Sequence, residues 1–414
     1  MTPTSDGERS ASRPASLRHS LSSLGVPAYR WWFLSQVFSS AGTMIQVVAL
    51  SWLVLRITHS GVDVGLLTTA VLSPLLLGGP WAGALVDRVD RRRLLMATQC
   101  LYIVLTSAQA IVTSAAMPRV WLIFVLAFAA GVVGAPDTAA RQVYANDLVG
   151  ADRLTSAVSL NEVVINLSRV LGPALGGVLL ATLGVSACCW ANAASFVPPL
   201  LVLVTHRHVT STRRSTAVRV HDQRFLTGWR YAWRHPTIRL LLALAAASGL
   251  LFNLNVPLPL LATRVFHVGA GGYGLMMSAF GVGGVLGGFL AASGRGLPQR
   301  RSVLALAAVT GGAVLATASS RNLTEFYAGL VVTGCVSIWF IARANTLVQL
   351  ATEPELRGRV MAAWSMALPG FMPVASPFVG WVGNEVGPRE CFALSGVLLV
   401  VLAALGARRR ASSA

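Results

Sequence analysis

The chain has 414 residues, of which 33 are basic, all of them arginine, and 15 acidic, giving a net charge of +18. Charged residues make up only 12% against 54% hydrophobic, and mean hydropathy is +0.65; this composition excludes a disordered chain and a soluble globular domain. It also argues against a nucleic-acid partner, whose binding would gather the arginines on one folded face, whereas here they stand in short groups between long apolar runs.

In chain order, residues 1–28 are serine-rich and polar and read as a disordered cytoplasmic tail. Twelve runs follow that meet the requirement of about 20 mostly apolar residues per spanning helix: 31–55, 64–86, 94–117, 120–141, 158–182, 185–205, 239–262, 272–293, 302–320, 323–344, 359–383 and 390–407. The expected fold is therefore an all-α polytopic membrane protein of 12 transmembrane helices. Two six-helix bundles, 29–205 and 239–407, are joined by a basic cytoplasmic loop at 206–238, and a short cytoplasmic tail, 408–414, ends the chain. Within the loop, Phe225, Tyr231 and Trp233 alternate with arginines, which fits a surface amphipathic helix and a solvated linker equally.

With the amino terminus inside, 27 arginines fall in cytoplasmic segments, five (Arg56, Arg119, Arg264, Arg321, Arg389) fall outside, and Arg169 falls within a span. The positive-inside rule then places both termini in the cytoplasm of a multi-pass protein in the cytoplasmic membrane. The five cysteines all sit in or beside apolar runs without metal-ligand spacing. No nucleophile–base constellation or phosphate loop is present, and the glycine-rich 281–288 lies mid-span. No metal, cofactor or enzymatic activity is expected.

The halves carry a weak internal repeat. Ala140-Arg141 aligns with Ala342-Arg343, then Leu148 with Leu350, Leu154 with Leu356 and Val158 with Val360. After a shift of two, Pro173 aligns with Pro377 and Gly176 with Gly380. Two halves in the same orientation form a parallel repeat that can rock about a central site.

After the second span the chain reads Gly83-Ala-Leu85-Val-Asp87-Arg88-Val-Asp90-Arg91-Arg92-Arg93. A topogenic loop needs only the arginines; Gly83 permits close helix approach, and Asp87 suits the positive start of a neighbouring helix. Gly83, Leu85, Asp87, Arg88, Arg91 and Arg92 resemble motif A of the major facilitator superfamily, with Asp90 where that family usually has glycine, which questions the tight turn. The resemblance implies a cytoplasmic lock between the halves in the outward-facing state, with Asp87 near Gly358.

In the fifth span, Glu162, Asn166, Arg169 and Pro173 form one helical stripe. Arg169 lies about 16 Å into the span, where an ionisable group points to function or gating or to a buried structural contact. Gly172, Pro173, Gly176 and Gly177 resemble motif C of the antiporter branches. Together with much of 18–200, they are similar to the enterobactin-exporter and macrolide-efflux branch of the superfamily.

Away from the span ends, where Glu325 and Glu390 stand, only Asp137 and Glu162 are acids within spans, so with Arg169 they are the proton-coupling candidates. Burial favours the neutral form of Asp137 and Arg141 one turn away favours its charged form, so a coupling role and a structural ion pair stand level; Glu162 is also placed to snorkel. Gln36, Gln46, Asn161, Asn166, Asn253 and Asn255 are candidate cavity groups, with Trp339 and Trp364 as walls or simple packing. The resemblance implies a monomeric exporter of drug-like, antibiotic or siderophore molecules by proton antiport. An uptake symporter is the alternative, and it would need more polar groups at the midplane.

Overall fold

The computed structural model describes residues 22–150, 153–206, 230–293, 296–353, 356–367 and 370–408. Among them every regular element is helical and no strand occurs. In order these are α1 (Pro27–Thr58), α2 (Gly61–Leu77), α3 (Gly79–Arg88), α4 (Arg91–Ser114), α5 (Val120–Val149), α6 (Leu154–Ser195), α7 (Val197–Thr205), α8 (Pro236–Phe252), α9 (Pro257–Arg264), α10 (Ala270–Ser293), α11 (Arg300–Ala318), α12 (Leu323–Leu350), α13 (Arg357–Ala367), α14 (Met372–Glu385) and α15 (Pro388–Arg408). Proline opens α1, α8 and α9, where its missing N–H costs nothing. Ser60, Asp90 and Asn322 cap α2, α4 and α12 by accepting a backbone N–H.

Among the described residues nine helices are long and apolar enough to cross a membrane, or ten when α2 and α3, bent by 58°, count as one span. The difference from twelve has local causes. Gly184, at φ 82°, breaks α6 where the fifth and sixth spans meet, a backbone state that glycine adopts at little cost. Residues 368–369, between α13 and α14, lie outside the described residues. The second and seventh spans, read as continuous helices, are each broken. Pro80 follows the α2–α3 junction, and Pro257 cannot donate to the carbonyl of Asn253, so 253–256 unwind between α8 and α9. Order also begins before residue 29. Ser22–Gly25 form a 3-10 turn, fastened by Ser23 Oγ donating to the Arg153 carbonyl at 3.0 Å. Residues 1–21 and 207–229, including Phe225, lie outside the described residues; Trp233, in a short helix at 230–234, is exposed.

The halves meet where α2 crosses α14 and where α6 crosses α10. A Cβ on Gly61 would lie 2.8 Å from the Gly380 carbonyl oxygen, and one on Gly177 would lie 2.7 Å from Gly274 Cα. Both crossings are thus backbone against backbone, the contact that small residues permit. At the Gly61 end a polar latch joins the halves. Asn384 Oδ1 accepts from Gly61 N–H at 2.9 Å. Arg264 Nη2 donates to the His59 carbonyl at 2.6 Å and to Asn384 Oδ1 at 3.2 Å. At the opposite, Arg88 end the seam is open: Cβ atoms at Gly83, Gly288 or Gly358 would meet nothing within 4 Å.

Candidate functional site

A cavity of about 590 Å³ lies within the amino-terminal half, walled by α1, α2, α4, α5 and α6. Asp137, 3% exposed, sits at its base on α5. Its carboxylate accepts from Thr98 Oγ1 at 2.7 Å and Gln99 Nε2 at 2.9 Å and pairs with Arg141 Nε at 2.5 Å, one turn on. Arg141 in turn donates to Gln36 of α1 and, at 3.5 Å, to Gln99. The buried Nε2 of Gln36 has no hydrogen-bond partner among the described residues. A second chain of amides runs from Asn192 on α6 to Gln46 on α1 and Gln109 on α4. Four helices are thereby tied by side chains that also line the cavity, and such networks hold geometry when their members are satisfied.

Apolar side chains fill the rest of the lining, with Leu50, Val71, Leu75, Val164 and Phe196 among them; Phe196 stacks on Tyr102 at 4.7 Å. Asp137 and Arg141 cancel in charge. The arrangement suits an organic molecule with an apolar body and a few donors and acceptors at one end.

The structure gathers some predicted residues here and scatters others. Gln36, Gln46, Asn161, Asp137 and Arg141 line the cavity. The side chains of Glu162 and Asn166 lie outside the described residues. Asn253, Asn255, Trp339 and Trp364, expected at a cavity, do not line this one. Asn253 lies at the α8–α9 break and donates to Ser376 Oγ at 2.8 Å, and Trp364 is buried in the core of the other half. Arg169 is exposed at the α6–α10 crossing, where a Cβ on Gly281 would lie 2.7 Å from its carbonyl oxygen. Asp137 takes Thr98, Gln99 and Arg141 as its partners. Thr98, Gln99, Tyr102, Thr106 and Gln109 were not anticipated, although their spacing is a polar stripe on one face of the third span; searching the spans for charges alone passes over it.

In the motif-A loop, Asp87 and Arg88 are exposed. Arg91 pairs with Asp147 at 2.8 Å rather than with Asp87, and Arg92 donates to the Leu203 carbonyl at 2.6 Å. Asp90 needs no left-handed turn: at φ −64°, ψ 116° it is extended and accepts from Arg93 N–H. The expected close approach at Gly83 is not made, because this end is open. In motif C, Gly172 packs against Ala41 and Met44 of α1 and Gly176 against Ile45, while Gly177 faces Gly274 of the other half.

Broken apolar helices in two bundles, with a partly polar cavity inside the first, fit a membrane transporter. The whole-chain comparisons agree: residues 18–413 match the transmembrane secretion effector family, and the chain belongs to this family of the major facilitator superfamily. Similar proteins include the staphyloferrin A transporter of Staphylococcus aureus, 25% identical with 90% of this chain and 94% of the relative covered. The multidrug efflux pump Tap of Mycolicibacterium fortuitum is 28% identical, with 88% and 91% covered. The enterobactin exporter EntS of Citrobacter koseri is 24% identical, with 92% and 91% covered. Among solved structures, an inward-facing bacterial homologue of the iron transporter ferroportin superposes with a TM-score of 0.69 at 16% identity, covering 92% of this chain and 98% of that one.

Proposed function

We propose that the protein exports a drug-like or siderophore-like molecule across the cytoplasmic membrane by proton antiport with alternating access, acting as a monomer. The observation that carries this reading is the Asp137–Arg141 pair in a cavity whose remaining lining is uncharged, amides and hydroxyls beside apolar side chains. With the arginine-rich loops in the cytoplasm, the Arg88 end faces inward. The state described is then open to the cytoplasm and closed outside by the Gly61 end, ready to load from within.

Antiport requires that proton and substrate exclude each other. Ionised Asp137 offers acceptor charge to substrate donors entering beside Gln36; protonation removes that charge and frees Arg141, so a proton arriving from outside displaces the substrate. The names of the relatives, siderophore and multidrug exporters, support the substrate class. The test is accumulation of a panel of hydrophobic dyes, antibiotics and catecholate or carboxylate siderophores in everted vesicles. Accumulation driven by an imposed proton gradient and lost with a protonophore is expected. Transport indifferent to collapse of the gradient removes the antiport reading.

A further inference from the structure

At the Gly61 end, outside the transport cavity, the ends of α1 and α9 enclose an open pocket of about 730 Å³. Arg56 and His59 line it from the amino-terminal half, Arg264 and His267 from the carboxyl-terminal half, and Trp52 and Leu55 are among its apolar groups. No carboxylate lines it, and among the described residues neither arginine is ion-paired. A second cavity, of about 570 Å³, adjoins it and shares Trp52, Arg56 and Gly269. Of the five arginines that the loop charge pattern leaves outside, Arg389 lies over the Phe266 ring and Arg321 beside Glu325; Arg56 and Arg264 converge here from opposite halves.

The backbone adds an independent observation. Among the described residues the only non-glycine residues at positive φ are His59, at 54°, and His267, at 51°, and both line this pocket. A left-handed residue ending a helix, as His59 ends α1, is usually glycine, and a Cβ there is sterically disfavoured. Two histidines, each with a ring N–H to donate, thus hold this uncommon backbone conformation at one pocket.

We propose that this pocket is an oxyanion site that takes a phosphate-type group, with the occupant bridging Arg56 and His59 of one half to Arg264 and His267 of the other. Closure of the Gly61 end brings the like charges of the two arginines together. An oxyanion between them replaces repulsion with charge-assisted hydrogen bonds, for which guanidinium geometry is suited. Because both halves contribute, the site is complete only when this end is closed, so its occupant stabilises that state. A lipid headgroup and a free anion share this chemistry. The binding site does not rest on the transport reading and its test needs no substrate; the stabilisation of the closed state rests on the alternating access proposed above.

The test uses the full chain in maltoside micelles, which contain no phosphate. Inorganic phosphate is titrated at constant ionic strength in one arm and phosphatidylglycerol is doped into the micelle in the other, against the wild type and an Arg56→Gln/His267→Gln variant. Both positions are exposed, so the variant is expected to fold, with its gel-filtration profile as the check. At least one arm is expected to raise the melting temperature of the wild type more than that of the variant, whose remaining response measures the general stabilising action of phosphate. Calorimetry of the responding arm is expected to give binding about tenfold weaker in the variant. A response to phosphatidylglycerol alone assigns a lipid headgroup, and a response to phosphate assigns a soluble oxyanion. No response in either arm, or equal responses in wild type and variant, overturns the site. Spin labels at Met117 and Val386, exposed residues on the two halves, report closure; binding without a gain in the short-distance population overturns the bridge.

Discussion

Substituting Gly177 with alanine tests whether the helix crossings set the conformational equilibrium. The new Cβ would stand 2.7 Å from Gly274 Cα, at least about 0.7 Å inside the 3.4 Å where ordinary contact begins. The opposing atom is backbone, so relief requires α6 and α10 to part. Overpacking of this kind costs about 1–3 kcal/mol. In the rocking model only the state closed at the Gly61 end makes this crossing, so the cost becomes a shift of about 5- to 150-fold toward the state open there. The gain of about 1 kcal/mol in helix propensity from glycine to alanine acts on both states and cancels. Double electron–electron resonance between labels at 117 and 386, in a background freed of native cysteines, reads the two populations. Gly312→Ala, on an exposed face of α11 where a Cβ meets open space, is the matched control. Should Gly177→Ala leave the distance distribution as in wild type, or move it no further than Gly312→Ala, the crossing does not set the equilibrium.

Four further outcomes are expected. Gly83→Ala meets nothing in the state described but would crowd a closed Arg88 end, so the same label pair should report a change opposite in sign to Gly177→Ala, by a similar factor. Asp137→Asn keeps an oxygen for Thr98 and Gln99 but leaves Arg141 without its counter-charge. Breaking a buried pair costs about 3–5 kcal/mol, reduced to about 2 kcal/mol here because the Arg141 side chain is 20% exposed; a lower melting temperature and loss of gradient-driven efflux should appear together. Asn384→Ala removes the acceptor of Gly61 N–H and Arg264, worth about 1 kcal/mol, and should open the Gly61 end about fivefold by the same spectroscopy. Gln109→Ala cuts the end of the amide chain and leaves a donor of Gln46 unsatisfied, so half-saturating substrate concentration in vesicle assays should rise several-fold while the gradient requirement persists.

Much of the site was legible where charge made it conspicuous. Asp137 and Arg141 stand out in an apolar chain because an ionisable group in a span needs a partner, and the four-residue spacing named that partner. The Gln46–Gln109–Asn192 chain was less visible: neutral amides in spans are cheap enough to serve packing, and only their meeting from three helices gives them a common purpose. Asn253, Asn255, Trp339 and Trp364 show the converse, since a polar or aromatic residue mid-span does not reveal which side of its helix faces the cavity.

The sequence by itself determined the all-helical membrane fold and its division into halves, because these follow from local hydropathy. It also aligned Gly176 with Gly380; in the structure Gly380 packs against Gly61 at the α2–α14 crossing, whereas Gly176 packs against Ile45 of α1 and its neighbour Gly177 makes the α6–α10 crossing. Tertiary structure alone decided that Gly177 meets Gly274 while Gly83 meets nothing, that Arg264 and Asn384 latch onto 59–61, and that four basic residues from two halves share a pocket. Hydropathy is a local property, and relations between distant surfaces are not written in the hydropathy of either.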